Sequence, residues 1–227
     1  MEITFISDTH WIVSDPVNTE DLNDLLPGGP ILVHAGDVSG RGTEREIRVF
    51  LKWFSSQPYM HKILIAGNHD FFFEVAKPEE VQALLAEYPG ITYLNDSGVT
   101  IEGIKFWGSP VTPFFHNWAF NRYENEIGPH WDLIPEGIDV LITHGPPHGI
   151  LDKTIREGWS VGCKSLKAKV DQIKPQVHVF GHIHEEMGQV EIGGTTFINA
   201  SVVDERYRLW HNRPPVINVE PRSENLV

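Results

Sequence analysis

Five short clusters in this chain hold side chains that can bind a metal or move a proton. They are Asp8 and His10 in SDTH, Asp37 in AGD, Asn68 and His69 in GNHD, His144 in HGPP, and His182 and His184 in GHIH. Carboxylate, carboxamide oxygen and imidazole together suit borderline divalent ions such as Mn, Fe, Co or Zn better than they suit a thiolate-preferring site. Taken singly each cluster is ambiguous, because an Asp after a strand often caps a helix and a lone His often packs as a hydrogen-bonded residue. The sole cysteine, Cys163, cannot form an internal disulfide and reads as a partly packed, unreactive thiol in a reducing compartment.

Each cluster follows a short apolar run. Residues 3–6 lead into SDTH, 31–33 into HAGD, 63–66 into GNHD, 140–143 into HGPP and 177–180 into GHIH. Such runs, β-branched and bounded by Gly or Pro, predict buried strands with the polar chemistry at their ends. Helices are predicted over 43–54, where Ile47, Phe50, Leu51 and Phe54 share a face, over 78–87, which opens on Pro and acidic residues, and over 163–173. In the last, Leu166, Val170 and Ile173 form the apolar stripe and the lysines face solvent. Alternating strands and helices predict an α/β layered fold whose ligands gather beyond the carboxyl ends of the strands, so five loops can converge. GVTIEGIKFWGS, QVEIGGTTFINAS and PPVINVE read as strands joined by tight Gly-containing turns, which makes the sheets mixed. The expected architecture is two sheets packed as a sandwich and flanked by helices.

With 227 residues, 41% of them hydrophobic, and seven Trp, the chain has the composition of a folded protein and is read as a single domain over 1–227. No internal repeat or low-complexity tract interrupts it, and only the closing PRSENLV is expected to fray. The balance of 18 basic against 31 acidic residues gives a charge of −13, which disfavours a long polyanion, and so long nucleic acid, as substrate. No run approaches the ~20 apolar residues that span a bilayer, and the first residues lack a basic segment leading an apolar one, so a cytoplasmic protein without membrane contact is expected.

The five blocks resemble the calcineurin-like metallophosphoesterase family, which carries D-x-H, G-D, G-N-H-D, a lone H and G-H-x-H in that order. A closer resemblance is to the MPPED branch of phosphodiesterases, through AGDVSG, KILIAGNHD, FWGSPVTPFFHNWAFN, THGPPHGILD, VGC, HVFGHIHE and INAS, which together span nearly all of the chain. The resemblance implies a four-layer α/β/β/α sandwich and two divalent metal ions of the Mn, Fe, Co, Ni or Zn kind, Mn foremost. It implies that Asp37 bridges them with one oxygen to each, that Asp8, His10 and His184 complete one site, and that Asn68, His144 and His182 complete the other. Some members of that branch lack the last histidine of the final block, whereas His184 is present here.

Two dications about 3.5 to 4 Å apart can share a hydroxide whose pKa has fallen toward neutrality, and both can grip a phosphoryl oxygen for in-line displacement. His69 looks like the general acid for the departing oxygen, and Asp70 either orients it or caps its loop. The implied reaction is hydrolysis of small phosphodiesters, 3′,5′- and 2′,3′-cyclic nucleotides among them, with Asn68, His69 and His116 on the substrate side. The aromatic, Pro-interrupted segment 108–122 either packs on the body or faces substrate, in which case Phe115 and His116 border the leaving group. Asn199 and His148 are weaker rim candidates. Arg41 reads as a surface residue, and His34, His61, His130, His178 and His211 as structural or surface residues. The competing readings are a phosphomonoesterase, a nuclease, and a catalytically silent scaffold of the same fold. A nuclease calls for a basic groove that the 18 Lys and Arg do not form, and a scaffold typically loses ligands that this chain keeps.

Overall fold

A computed structural model describes residues 1–10, 14–155 and 158–222. The first half of the chain runs β1 (Glu2–Ile6), α1 (Pro16–Leu25), β2 (Gly29–Ala35), α2 (Glu44–Ser56), β3 (Tyr59–Ile65), α3 (Phe71–Val75), α4 (Pro78–Ala86), β4 (Ile91–Tyr93), β5 (Ser97–Ile101) and β6 (Ile104–Ser109). The second runs β7 (Thr112–Pro113), β8 (Asn121–Arg122), α5 (Glu124–Asp132), β9 (Val140–Thr143), α6 (Lys164–Ile173), β10 (Val177–Phe180), β11 (Gly188–Ile192), β12 (Thr195–Asn199) and β13 (Val216–Asn218). The five predicted ligand-bearing strands are β1, β2, β3, β9 and β10, and the three predicted helices are α2, α4 and α6.

Alternation of side chains along the strands sorts them into layers. One sheet has the order β13-β1-β2-β3-β4, the other β11-β12-β10-β9-β6-β5, and a two-stranded ladder joins β7 to β8. Ile3, Phe5, Ile31, Val33, Ile63 and Ile65 of the first sheet meet Ile104, Phe106, Val140, Ile142, Val177 and Val179 of the second in one apolar cluster. The opposite faces bury Leu32 and Leu64 under α2 with its Ile47, Phe50, Leu51 and Phe54, and Leu141 and Phe180 under α5 and α6 with Trp131, Leu166 and Val170. This is the expected α/β/β/α sandwich. Both sheets are mixed, since β13, β5 and β11 run antiparallel to their neighbours while the ligand-bearing strands pair in parallel.

Local chemistry sets the helix boundaries. Thr43 caps α2 with a capping box to Glu46, Pro78 opens α4, and the Cys163 thiol caps α6 by accepting from the Leu166 amide at 3.4 Å. The β5-β6 hairpin turns through Glu102 and Gly103, both left-handed at φ 49° and 83°. PPVINVE differs from its expected hairpin: β13 crosses back to pair with β1, and the Met1 ammonium donates to Asn218 and Val219. Three helices lay outside the sequence reading. The polar α1 lacks a stripe, α3 is one turn, and α5 contains Gly128 and Pro129. Most of the fraying predicted for PRSENLV concerns residues from Ser223 on, outside the described residues. Among the described residues, no helix is long and apolar enough to cross a membrane.

Candidate metal centre

All five clusters stand at the carboxyl ends of parallel strands, where the sheet edge leaves backbone turns free to carry polar side chains. Asp8 and His10 follow β1, Asp37 follows β2, Asn68 and His69 follow β3, His144 follows β9, and His182 and His184 follow β10. Asp8, His10, Asp37 and His182 take left-handed backbone at φ 58°, 44°, 57° and 69°. Few residues other than Gly enter that region, and those that do gather at functional sites. Two glycines in the motifs are there for space. A Cβ on Gly67 would collide with the Asp37 carboxylate, and one on Gly181 with Ser7 and the Asp8 carboxylate.

The ligand atoms fall into three overlapping groups, each within 4.8 Å: Asp8 with His10 and His184, His10 with Asp37 and His69, and Asp37 with His144 and His182. Asn68 joins the last through its Oδ1, 2.8 Å from His144 Nε2. Every residue expected to hold metal is therefore gathered at one place.

Backbone carbonyls fix the imidazoles. His10 Nδ1 faces Ser39 O at 3.2 Å, His144 Nδ1 faces Ala35 O at 3.0 Å, His184 Nδ1 faces Asp204 O at 3.2 Å and His69 Nδ1 faces Gly40 O at 2.9 Å. A carbonyl only accepts, so each of these Nδ1 atoms donates, and Nε2 of the neutral ring is a bare acceptor. Those bare nitrogens then face other acceptors. His10 Nε2 lies 3.3 Å from His184 Nε2, His184 Nε2 lies 3.4 Å from Asp8 Oδ1, and Asp37 Oδ2 lies 3.3 Å from His144 Nε2 and 3.8 Å from His10 Nε2. Acceptors packed together in a buried site repel unless a cation lies among them, and imidazoles oriented by carbonyls are the usual second layer of a metal site. The residues fit divalent ions. Asp37 stands between the two groups, with Oδ2 facing His144 and His10 and Oδ1 accepting from the His69 amide at 2.8 Å.

The electrostatics follow the same grouping. Burial works to raise the Asp37 and Asp8 carboxyls, but the surrounding histidines, His144 for Asp37 and His184 for Asp8, hold both well below the usual range. Burial also works to lower His144, and Asp37 outweighs it, pushing the imidazole up to about 9, so a proton on Nε2 is the cation this pair takes when no metal lies between them. His10, farther from that carboxylate, is lowered by burial to about 4, and His182 by burial and His144 to about 4.

Two positions outside the ligand set resolve differently from each other. Asp70 does not touch the His69 ring. Its oxygens accept from the Val38, Ser39 and Gly67 amides and the Ser39 hydroxyl at 2.7–3.1 Å, tying the Asp37 turn to the GNHD turn. Burial and the Asp37 charge raise it to about 6 against those four donors. Loop capping is thus its role. Asn199 is buried away from any rim: its Nδ2 donates to Ile183 O at 2.7 Å and its Oδ1 accepts from the Ser201 amide, which holds the GHIH turn in place. His148 is also apart from the cluster, with its Nδ1 3.8 Å from Asp152 Oδ2.

The segment 108–122 packs on the body through part of its length. Trp118 stacks on the His69 ring with centroids 4.3 Å apart, and the Ala119 amide donates to Asn68 O at 3.0 Å. Phe115 and His116 are exposed, their rings 4.1 Å apart. Tyr207 packs edge-on to His10 and His184 at 4.9 and 5.2 Å. Trp118 and Tyr207 were missed because nothing in their sequence neighbourhoods distinguishes an aromatic that packs on a ligand from one that packs in the core.

Two cavities flank the centre. On the His10 side a cleft of about 710 Å³ is lined by Arg41, Arg45, Ser14, Thr43 and Glu46. Arg41 is exposed, as expected of a surface residue, yet it shares this cleft with His10. On the His182 side a pocket of about 330 Å³ is lined by Pro113, Phe114, Phe115, Pro146, Val161 and Ile183.

Residues 1–186 match the model of the family described as Calcineurin-like phosphoesterase. The chain belongs to this family. It is 37% identical over 241 residues to human Metallophosphoesterase domain-containing protein 1, covering 97% of this chain and 71% of that protein. A UPF0046 protein of Caenorhabditis elegans is 32% identical, over 98% of this chain and 77% of its own length. Among solved structures, Phosphopantetheinyl Hydrolase from Mycobacterium tuberculosis superposes with a TM-score of 0.61 at 17% identity, over 90% of each chain, and shares the fold. As a metallophosphoesterase the protein is a hydrolase of phosphoric esters, and the carboxylate and imidazole groups are its candidate holders of the divalent metals that the family uses.

Proposed function

We propose that this phosphoesterase is a dinuclear-metal phosphodiesterase acting on small diesters, cyclic nucleotides among them. The observation that carries the reading is Asp37 Oδ2, which faces His144 at 3.3 Å and His10 at 3.8 Å and so joins the two ligand groups. Asp8, His10 and His184 would hold one ion and Asn68, His144 and His182 the other, with Asp37 common to both. When bound, divalent ions supply Lewis acidity to a phosphoryl oxygen and generate a nucleophile from water near neutral pH. His69 presents Nε2 to the departing oxygen, since Gly40 O accepts the hydrogen bond from its Nδ1 and Trp118 fixes the ring plane. Acting as the imidazolium, with a proton on each nitrogen, it would give the Nε2 proton to the leaving alkoxide and be left neutral, with Nδ1–H still donating to Gly40 O. Asn68, His69 and His116 contact the substrate.

The charge of −13, without a basic groove, favours small substrates over long nucleic acid, and residues 1–227 are read as one catalytic domain working in the cytoplasm. A phosphomonoesterase is the second reading, favoured by Arg41 and Arg45 in the cleft beside His10, where they can meet a dianion. Protein loaded with Mn is expected to hydrolyse bis(p-nitrophenyl) phosphate faster than p-nitrophenyl phosphate, and a panel of cyclic nucleotides, linear diesters and monoesters ranks the natural class. No turnover of the diester with any of Mn, Ni, Co or Zn would overturn the proposal.

A further inference from the structure

We propose that the pocket beside His182 binds one ester group of the substrate, and that this group is an unsubstituted aryl or alkyl moiety recognised by shape. The inference rests on the phosphodiesterase reading and narrows its substrates from small diesters in general, cyclic nucleotides among them, to diesters that carry an apolar ester group. The pocket, of about 330 Å³, is large enough for a small ring or a short chain. Its walls come from three separate stretches: Pro113 at the end of β7 with Phe114 and Phe115 beyond it, Pro146 and Val161 after β9, and Ile183 in GHIH. Among the described residues, only Thr154 and His182 bring polar side chains to it, so the described walls offer a hydrogen-bonding edge few partners. His182 also belongs to the Asp37 ligand group, which makes the pocket continuous with the metal centre.

The described part of the mouth is apolar as well, with Phe114, Phe115 and Val161 on the wall 43%, 60% and 40% exposed. Apolar side chains concentrated around one opening mark a binding surface. The surface is built in advance, because Asp152 Oδ2 accepts from the Gly149 and Gly162 amides at 2.8 and 3.0 Å, Lys153 pairs with Ser160, and the Ile155 amide donates to Glu185. A preformed apolar wall loses little freedom when a ligand enters. The cleft on the His10 side, with its two arginines, has the opposite character and does not compete for such a group.

Benzylphosphonate and methylphosphonate share an anionic head and differ in the group that would enter the pocket. Titrated calorimetrically into Mn-loaded protein, benzylphosphonate is expected to bind roughly tenfold or more tightly. Phe115→Asn and Val161→Asn, made separately at exposed positions, are expected to remove most of that advantage while leaving methylphosphonate unchanged, and Phe115→Leu is expected to keep it. Equal affinity for the two phosphonates, no benzylphosphonate binding in the millimolar range, or an advantage unchanged in both Asn variants would overturn the inference. Turnover of bis(p-nitrophenyl) phosphate by the same preparation separates the two readings. A benzyl preference without turnover leaves the pocket standing and removes the diesterase, and turnover without preference does the reverse.

Discussion

The two sides of the metal centre are made the same way and open on different chemistry. Each uses strands ending in ligand-bearing turns, with His10 and His184 on one side and His144 and His182 on the other. The His10 side gives onto a polar cleft of about 710 Å³ with Arg41 and Arg45, and the His182 side onto an apolar pocket of about 330 Å³. The ligand turns are fixed by backbone strain and carbonyl contacts, whereas much of the cavity wall, Thr43, Arg45 and Glu46 on one side and Phe114, Phe115 and Val161 on the other, lies outside those turns. Metal binding and substrate recognition can therefore vary separately, as expected where a rigid scaffold positions variable loops.

The largest effect should come from removing what the two sides share. Asp37→Ala is expected to cost both ions and to lower turnover by roughly ten-thousandfold or more, because neither side keeps its common oxygen. Metal analysis beside kinetics checks this, and retention of one tightly held ion would show that the sides are independent. His69→Ala touches neither side's ligands. It is expected to lower turnover by roughly a hundredfold to ten-thousandfold with metal content unchanged. Loss of metal in that variant would make His69 a ligand, in keeping with its place in the group of His10 and Asp37.

A buried histidine stands behind each side and gives the fold a common acid sensitivity. His34 binds Thr9 Oγ1 through Nε2 at 3.0 Å and accepts from the Gly36 amide at Nδ1. His178 binds Thr143 Oγ1 at 2.9 Å, and among the described residues its Nδ1 has no partner. Burial lowers each to about 3 from the ordinary 6.5. The unfolded chain therefore takes up these protons first as pH falls. Their stabilisation is complete above about pH 6.5 and is lost between there and about pH 3, at about 1.4 kcal/mol per pH unit for each histidine. Denaturation midpoints followed from pH 7 to pH 5 in chelator should fall, and His178→Gln should make the fall shallower. An unchanged slope would mean that His178 is not held neutral. The smallest effect is expected on the open, charged side, where Arg41→Ala should slow p-nitrophenyl phosphate severalfold and spare the diester, since an exposed charge is screened. Equal losses on both substrates would remove the distinction between the two cavities.

Much of this was legible in the sequence because strand ends carry it. Runs such as Val140–Thr143 and Val177–Phe180 are bounded by glycine or by polar residues, and the ligands follow at once. Ile47, Phe50, Leu51 and Phe54 announced α2 through their helical spacing. The supporting layer was not legible. The carbonyls of Ser39, Ala35 and Asp204 that orient the imidazoles belong to residues of any type, and Trp118 meets His69 only through the fold. Asn199 could be read as a rim residue because its motif lies near GHIH, and only its bond to Ile183 O shows it to be a fastener of that turn. The apolar pocket likewise joins Phe115 to Val161 and Ile183, residues far apart in the chain.

The central claim is that two ligand groups joined by Asp37 hold two ions, and metal stoichiometry tests it most directly. Protein equilibrated with Mn and freed of excess should retain two ions per chain, and His184→Ala should retain one, because it weakens the group of Asp8 and His10 and spares that of His144 and His182. A single ion in the unchanged protein, or loss of both in the variant, would contradict the account.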